Sequence, residues 1–374
     1  MSHGNDQGEE PLASGQTDGE AFPHLEIAVM RAGDGDCILI RCLDHFGSFN
    51  ILVDGGRSEA VENLKAFLKT IPESERKIDL FVLTHIDADH IEGALAIARD
   101  EYLKSLVREV WFNDAARCGA EGAVPLSTAQ GDDFTALIES SGWAWNTHFA
   151  GKAVVRGGKP IIVTLGANTH LRVLGPTPEG LQRLARHWPT QEFKELATSD
   201  RLMGAVAMGG VSIPDVESLA SSMHSEDVSP TNGSSIAFVL EHGDAQILVA
   251  ADSHARDIVS ALQAEDQDHP PRFDLAFLPH HGADRNTSPA FASLIDANRW
   301  VVSTTGTRHR HPAPQSIARI LKRRPNRHPL TFFFNSAHRE AAVWDDLMLR
   351  RDYSYDVVLP TDRQQPWINI TIGA

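Results

Sequence analysis

Basic residues are scarce in this chain: 34 Lys and Arg stand against 50 Asp and Glu, a net charge of −16. Such a deficit excludes a broad, non-specific nucleic-acid surface, which needs a basic face. Long apolar runs are absent too. No stretch approaches the ~20 apolar residues of a membrane span, so no membrane role is expected. Cysteine is limited to Cys37, Cys42 and Cys118, an odd number without a C-x-x-C pair, as expected of a reduced, cytoplasmic protein whose cysteines are small core residues. No segment recurs at a fixed period. Residues 1–22 lack the basic start and apolar centre of a signal peptide; they carry Asp6, Glu9, Glu10, Asp18 and Glu20 but no Lys or Arg, and read as a disordered acidic tail.

The remainder has what a large core requires, with an apolar fraction of 42%, and residues 23–374 read as one domain. Strand-like runs lie at 25–30, 37–41 and 50–53, with Gly33 and Gly35 in the first hairpin and Gly55-Gly56 after the third run. A helix-period segment follows at 58–68, then the apolar run Leu80-Phe81-Val82-Leu83, a helix over 91–106 and a strand at 109–112. Further strands are expected at 161–165 and 171–174, then a hairpin of 235–240 and 246–250 turning at Gly243-Asp244. Helices at 255–263, 289–297 and 314–323 alternate with strands at 275–278, 300–303 and 330–334, and a last strand covers 368–372. Residues 178–225, rich in Ala and Ser, read as an insertion that either shapes a substrate pocket or serves as scaffolding. Strands in two groups with helices between them predict an α/β fold of two mixed sheets with helices outside.

Chemistry concentrates in His85-Ile86-Asp87-Ala88-Asp89-His90, at the mouth of the strand ending at Leu83. Successive side chains alternate in direction, so His85, Asp87 and Asp89 can converge while Ile86 and Ala88 pack away. Imidazole and carboxylate are ligands of Zn, Mn and Fe, and carboxylates crowded this closely need a cation. Other candidates follow strands: Asp54 after 51–53, Asp252 after 247–250, and His280-His281 after 275–278. A lone Asp in such a place is usually a cap or turn residue; a double His is rarer.

In their order, Gly33-Asp34-Gly35-Asp36, Val53-Asp54-Gly55-Gly56, His85 to His90, Asn232-Gly233-Ser234-Ser235, Ala251-Asp252, His280-His281-Gly282 and His311-Pro312 resemble the metallo-β-lactamase-fold hydrolases, and among them the soluble domain of ComEC-type competence proteins. The resemblance spans residues 24 to about 320. It implies an αββα four-layer sandwich and one or two divalent ions, zinc or manganese. By position, His85 and Asp87 would hold one ion, Asp89, His90 and His280 the other, and Asp252 both. His280 and His281 remain alternatives from sequence; the reading takes His280 as ligand and His281 either behind a ligand or on the substrate. Where the wider superfamily has a further His, this chain has Asn232, a candidate for substrate or weak metal contact. Asp54 and Thr84 are expected to orient ligands from behind.

The activity implied is metal-dependent hydrolysis, through a water made acidic by the ions. A phosphodiester substrate, nucleotide or nucleic acid, is the first expectation. It draws on the run from Arg308 to His328, which has seven Lys or Arg and no acid. Arg308 and Arg310 would bind phosphate; His309 or His311 would bind it or protonate the leaving group; Asp89 is a catalytic candidate. Hydrolysis of a neutral ester, lactone or lactam is the second expectation, because a fold does not fix a substrate. A third is a weakly catalytic, defence-related effector subunit with a protein partner on the acidic tail or the insertion.

Overall fold

The computed structural model describes residues 23–119, 130–158, 161–188, 213–264 and 271–373; the expected acidic tail lies outside them. Alternation along the strands sets the layering. In β1 (His24–Met30), Leu25, Ile27 and Val29 face one way and Ala28 and Met30 the other. β2 (Ile38–Asp44) and β3 (Gly47–Val53) continue an antiparallel meander, extended in parallel by β4 (Ile78–Val82), β5 (Val107–Trp111) and β6 (Ala144–Trp145). All five residues of β4 are buried, as a parallel strand covered on both faces requires.

A second sheet starts with β7 (Ile161–Thr164), β8 (Thr169–Gly175), β9 (Ala237–His242) and β10 (Ala245–Val249), all antiparallel. The two-residue strands β11 (Arg272–Phe273) and β13 (Asp296–Ala297) pair separately. Parallel neighbours β12 (Leu275–Phe277), β14 (Arg299–Val302), β15 (Leu330–Phe334) and β16 (Tyr355–Val358) complete the second sheet. β17 (Trp367–Ile372) returns to the first sheet beside β1.

Leu25, Ile27, Ile40, Phe238, Leu240 and Ile247 pack between the sheets. Helices Ala60–Leu68, Ala88–Arg99, Gln130–Ser141 and Pro178–His187 cover the outer face of the first sheet. Val216–Ala220, Ala255–Gln263, Pro289–Leu294 and Pro314–Arg323 cover that of the second. This is the expected αββα sandwich of two mixed sheets flanked by helices. Among the described residues, no helix is long and apolar enough to cross a membrane.

The expected helix over 91–106 is two, because Asp100 leaves the helical path and its carboxylate accepts from Leu103 N at 3.0 Å, capping Glu101–Leu106. Residues 178–225 join the scaffold where described. Leu181 and Leu184 enter one outer core and Val216 and Ala220 the other; 189–212 lie outside the described residues. All three cysteines are buried thiols, and burial raises each above the ordinary thiol range.

Candidate metal centre

Loops leaving the carboxyl ends of strands in both sheets meet at one place. Asp54 follows β3, Thr84 to His90 follow β4, and Asp252, His280-His281 and Ser303 follow β10, β12 and β14. Asp54, Ala251, His280, His281 and Arg310 all have positive φ, 47–56°. Left-handed backbone at non-glycine residues is costly and collects at functional sites. Packing is equally tight: a Cβ on Gly35 would stand 1.6 Å from the carbonyl oxygen of Asp89. Ser303 Oγ donates to that glycine's own carbonyl at 3.2 Å, tying the loop to the second sheet.

The hydrogen bonds fix which nitrogen of each histidine carries the proton. Thr84 Oγ1 donates to Asp54 Oδ2 at 2.7 Å, so toward His85 Nδ1, 2.9 Å away, it can only accept. His90 Nδ1 donates to Asp54 Oδ2 at 2.8 Å and His281 Nδ1 to the Ser303 carbonyl at 2.9 Å. In all three the Nε2 lone pair faces inward, and all three Nε2 atoms are buried without a hydrogen-bond partner, as is Asp252 Oδ1.

What these lone pairs face is more lone pairs. Asp252 Oδ2 lies 3.7 Å from His85 Nε2, 3.4 Å from His90 Nε2 and 3.5 Å from His280 Nε2. Its Oδ1 lies 3.8 Å from His281 Nε2. Asp89 Oδ2 is 3.5 Å from His281 Nε2 and 3.9 Å from His90 Nε2, and Asp87 Oδ2 is 3.6 Å from His85 Nε2. These separations exceed a hydrogen bond. They suit two ligands of one ion, since ligand atoms ~2.0–2.2 Å from a tetrahedral metal stand roughly 3.3–3.6 Å apart. Three-residue groups, His85–His90–Asp252 and Asp89–His90–His281 among them, keep their ligand atoms within 4.8 Å of one another. The residues therefore fit divalent ions.

Electrostatics agree. Burial disfavours charged imidazoles, yet Asp252, Asp54 and Asp89 outweigh it and lift His90 well above the ordinary histidine range. His281 is lifted likewise against burial, by Asp36 and Asp252. Burial pushes the Asp89 carboxyl up, but His90 and His281 prevail and hold it well below the carboxylate range. The pocket thus asks for positive charge, from protons or from a metal.

Several placements differ from the sequence expectation. His281 rather than His280 joins Asp89 and His90, and its side chain is only 1% exposed, which leaves no face for substrate. The cause is the left-handed backbone at both residues, which sets their rings 78° apart. Asn232 sits behind His280, its Nδ2 donating to Asp227 Oδ2 at 2.7 Å. Asp87 occupies a helix N-cap position but does not cap; its Oδ2 accepts from Thr231 Oγ1 at 3.0 Å and faces His85.

Sequence reasoning missed Asp36, which falls into two of the ligand groups, although its Gly33-Asp34-Gly35-Asp36 loop was a visible signal. It also missed Asp227, Asn286 and the Ser303 carbonyl, for which no local signal exists. Arg57 grips Asp34 through Nε at 2.8 Å and Nη2 at 3.0 Å. Burial raises the Asp34 carboxyl, but that pairing more than offsets it and lowers its pKa.

Asp54 is fully buried and accepts from Thr84 N as well as from Thr84 Oγ1 and His90 Nδ1. Asp54→Asn would set an amide N–H against donors. Zinc affinity, measured by calorimetry, is expected to fall about 10- to 100-fold with the fold intact.

At the rim, the His311 ring lies 5.8 Å from that of His280 and 5.7 Å from that of His309. Burial, then His280 and His281, hold His311 well below the ordinary histidine range. Arg308 and Arg310 are exposed, with Arg308 Nε 3.7 Å from Asp34. The basic run does not continue as a face. Arg319 is fully buried on Asp284 and Thr287, Lys322 pairs with Glu217, and Arg324 donates to the Tyr353 carbonyl.

Residues 30–173 match the family model described as Metallo-beta-lactamase superfamily, a stretch that includes Asp54 and His85 to His90. No curated protein matches the chain. Among solved structures, the metallo-beta-lactamase fold protein YhfI from Bacillus subtilis is 11% identical, with 93% of this chain and 100% of that chain covered and a TM-score of 0.39.

Proposed function

We propose that the chain is a metal-dependent hydrolase of phosphodiesters, in nucleotides or nucleic acid, with one or two ions of zinc or manganese. The observation that carries the metal-dependent half is the set of proton-free Nε2 atoms turned on the oxygens of Asp87, Asp89 and Asp252. When bound, divalent ions supply a water activated near neutral pH and stabilise anionic charge on the reacting group. Asp87, Asp89 and Asp252 against two dications would leave one positive charge, which a hydroxide would bring to about neutral, and such a site tolerates an anionic phosphodiester. Asp89 and Asp252 would hold the ions together with His85, His90, His280 and His281, while Asp54 and Thr84 keep the rings turned inward. His309 or His311, whose rings lie 5.7 Å apart at the rim, binds a substrate oxygen or protonates the leaving group.

The choice of a phosphodiester rests on Arg308 and Arg310 at the rim and on the ComEC-like order of motifs. Reversing both charges, Arg308→Glu with Arg310→Glu, is expected to raise KM for bis-p-nitrophenyl phosphate at least 10-fold with metal content unchanged. The neutral-ester reading is supported by the net charge of −16 and by Val228, 68% exposed beside Asp227. Three buried free thiols suit the cytoplasm.

One screen decides among these. Zinc- and manganese-loaded protein is offered DNA, RNA, cyclic nucleotides, bis-p-nitrophenyl phosphate, a lactone and p-nitrophenyl acetate. Phosphodiester turnover lost in Asp89→Ala supports the proposal. Turnover of only the neutral substrates overturns the phosphodiester half. One ion or none bound, with no turnover, favours an effector subunit with a protein partner.

A further inference from the structure

Between His280 and the second sheet lies a buried polar cluster that takes no part in holding an ion directly. Asn286 is fully buried, and its Nδ2 donates to Asp227 Oδ2 at 3.0 Å and to the carbonyls of Asp252 and Ser253 at 3.1 Å each. Turning the amide over would set its oxygen against three oxygens, so its orientation is fixed. Asn286 Oδ1 is thereby presented to His280 Nδ1 at 3.0 Å and needs a donor. Asn232 Nδ2 also comes within 3.2 Å of that ring nitrogen; it gives one hydrogen to Asp227 at 2.7 Å, and its contact with the ring is longer than the 3.0 Å to Asn286 Oδ1. A bare Nδ1 would oppose Asn286 Oδ1, lone pair to lone pair. The proton therefore sits on Nδ1, and His280 Nε2 offers its lone pair toward Asp252 Oδ2, 3.5 Å away.

Resting on the metal-dependent reading above, we propose that Asn286, held in orientation by Asp227, is a positioning residue that makes His280 a metal ligand. The adjacent pair His280-His281 then gives one nitrogen to each oxygen of Asp252. The left-handed backbone at both residues is what allows neighbours in sequence to do this, since their rings diverge by 78° and reach Oδ2 and Oδ1 separately. His280 thereby joins His85 on the same oxygen, Asp252 Oδ2, at 3.5 and 3.7 Å.

The test is zinc titration of the full chain by calorimetry, with metal counted by elemental analysis and unfolding of the metal-free protein followed by heat. Wild type is expected to bind two zinc ions. His280→Gln and Asn286→Leu are each expected to weaken one of them 10- to 100-fold and leave the other in place. His281→Gln is expected to weaken the other one. A merely structural role for Asn286 would lower the melting temperature of the metal-free protein and weaken both ions alike, and that result overturns the proposal. Should Asn286→Leu fail to fold, Asp227→Asn, which removes only the charge orienting the amide, is expected to weaken the same ion as His280→Gln. Two ions bound at wild-type affinity in both His280→Gln and Asp227→Asn overturn the inference but leave the metal reading standing. A wild type that takes up no zinc overturns both.

Discussion

Asp252→Asn is expected to strip the centre of metal and to lower turnover at least 1,000-fold. Asp252 is 1% exposed and lies within 3.4–3.8 Å of all four inward Nε2 atoms, using both carboxylate oxygens. Among the described residues, no other side chain lies this close to the whole set. An amide of the same shape keeps one neutral, weaker acceptor and adds an N–H that would occupy the lone pairs an ion needs. Against burial, His280, His90 and His281 hold the Asp252 carboxyl well below its ordinary range, so the substitution removes a negative charge. The check is elemental analysis together with turnover. A second readout is the melting temperature with and without a chelator. A ligand at 100 times its Kd stabilises a fold by about 2.7 kcal/mol, roughly 5 °C for a chain of this size. Wild type should show that difference and Asp252→Asn should not.

Gly35→Ala should have the largest effect on stability, though it adds one methyl group. Its Cβ would meet the Asp89 carbonyl oxygen at 1.6 Å and the carbonyl carbon at 2.6 Å, both backbone atoms of a helix's first turn. No rotamer change relieves such a contact. Either the loop Gly33 to Asp36 withdraws, carrying Asp36 from the centre, or the helix start moves and takes Asp89 and His90 with it. A cost of at least roughly 3 kcal/mol is expected, in the range of severe backbone and core defects, together with loss of zinc binding. Chemical denaturation of the metal-free protein reads the first, and calorimetry the second. Near-native stability in Gly35→Ala would show that the loop and the helix are not pressed together.

The layering of the fold could be read from the chain because it follows from alternation, which is local. The helices Ala255–Gln263 and Pro314–Arg323 have the bounds that their apolar spacing predicts. The hairpin turns at Gly243-Asp244 as expected, although its strands, Ala237–His242 and Ala245–Val249, run closer to the turn. The helix Leu347–Tyr353 and β16 escaped, since the first is short and the second is half-exposed along a sheet edge. Within the centre, the cluster His85 to His90 was visible because its members are close in sequence. The supports were not: Asn286 meets Asp227 across 59 residues and Asp54 meets Thr84 across 30. The division of labour between His280 and His281 was invisible for another reason. It depends on two successive left-handed residues, and nothing in the composition of a Pro-His-His-Gly segment announces that backbone.

The centre draws on loops from both sheets: His85, Asp87, Asp89 and His90 come from one, and Asp252, His280 and His281 from the other. Cations held there would act as rivets through the seam of the sandwich, just beyond the last apolar layer of Val53, Val82, Val249 and Phe277. Demetallation would loosen that rim first while the opposite end, zipped by Leu25, Leu171 and Leu240, stays shut.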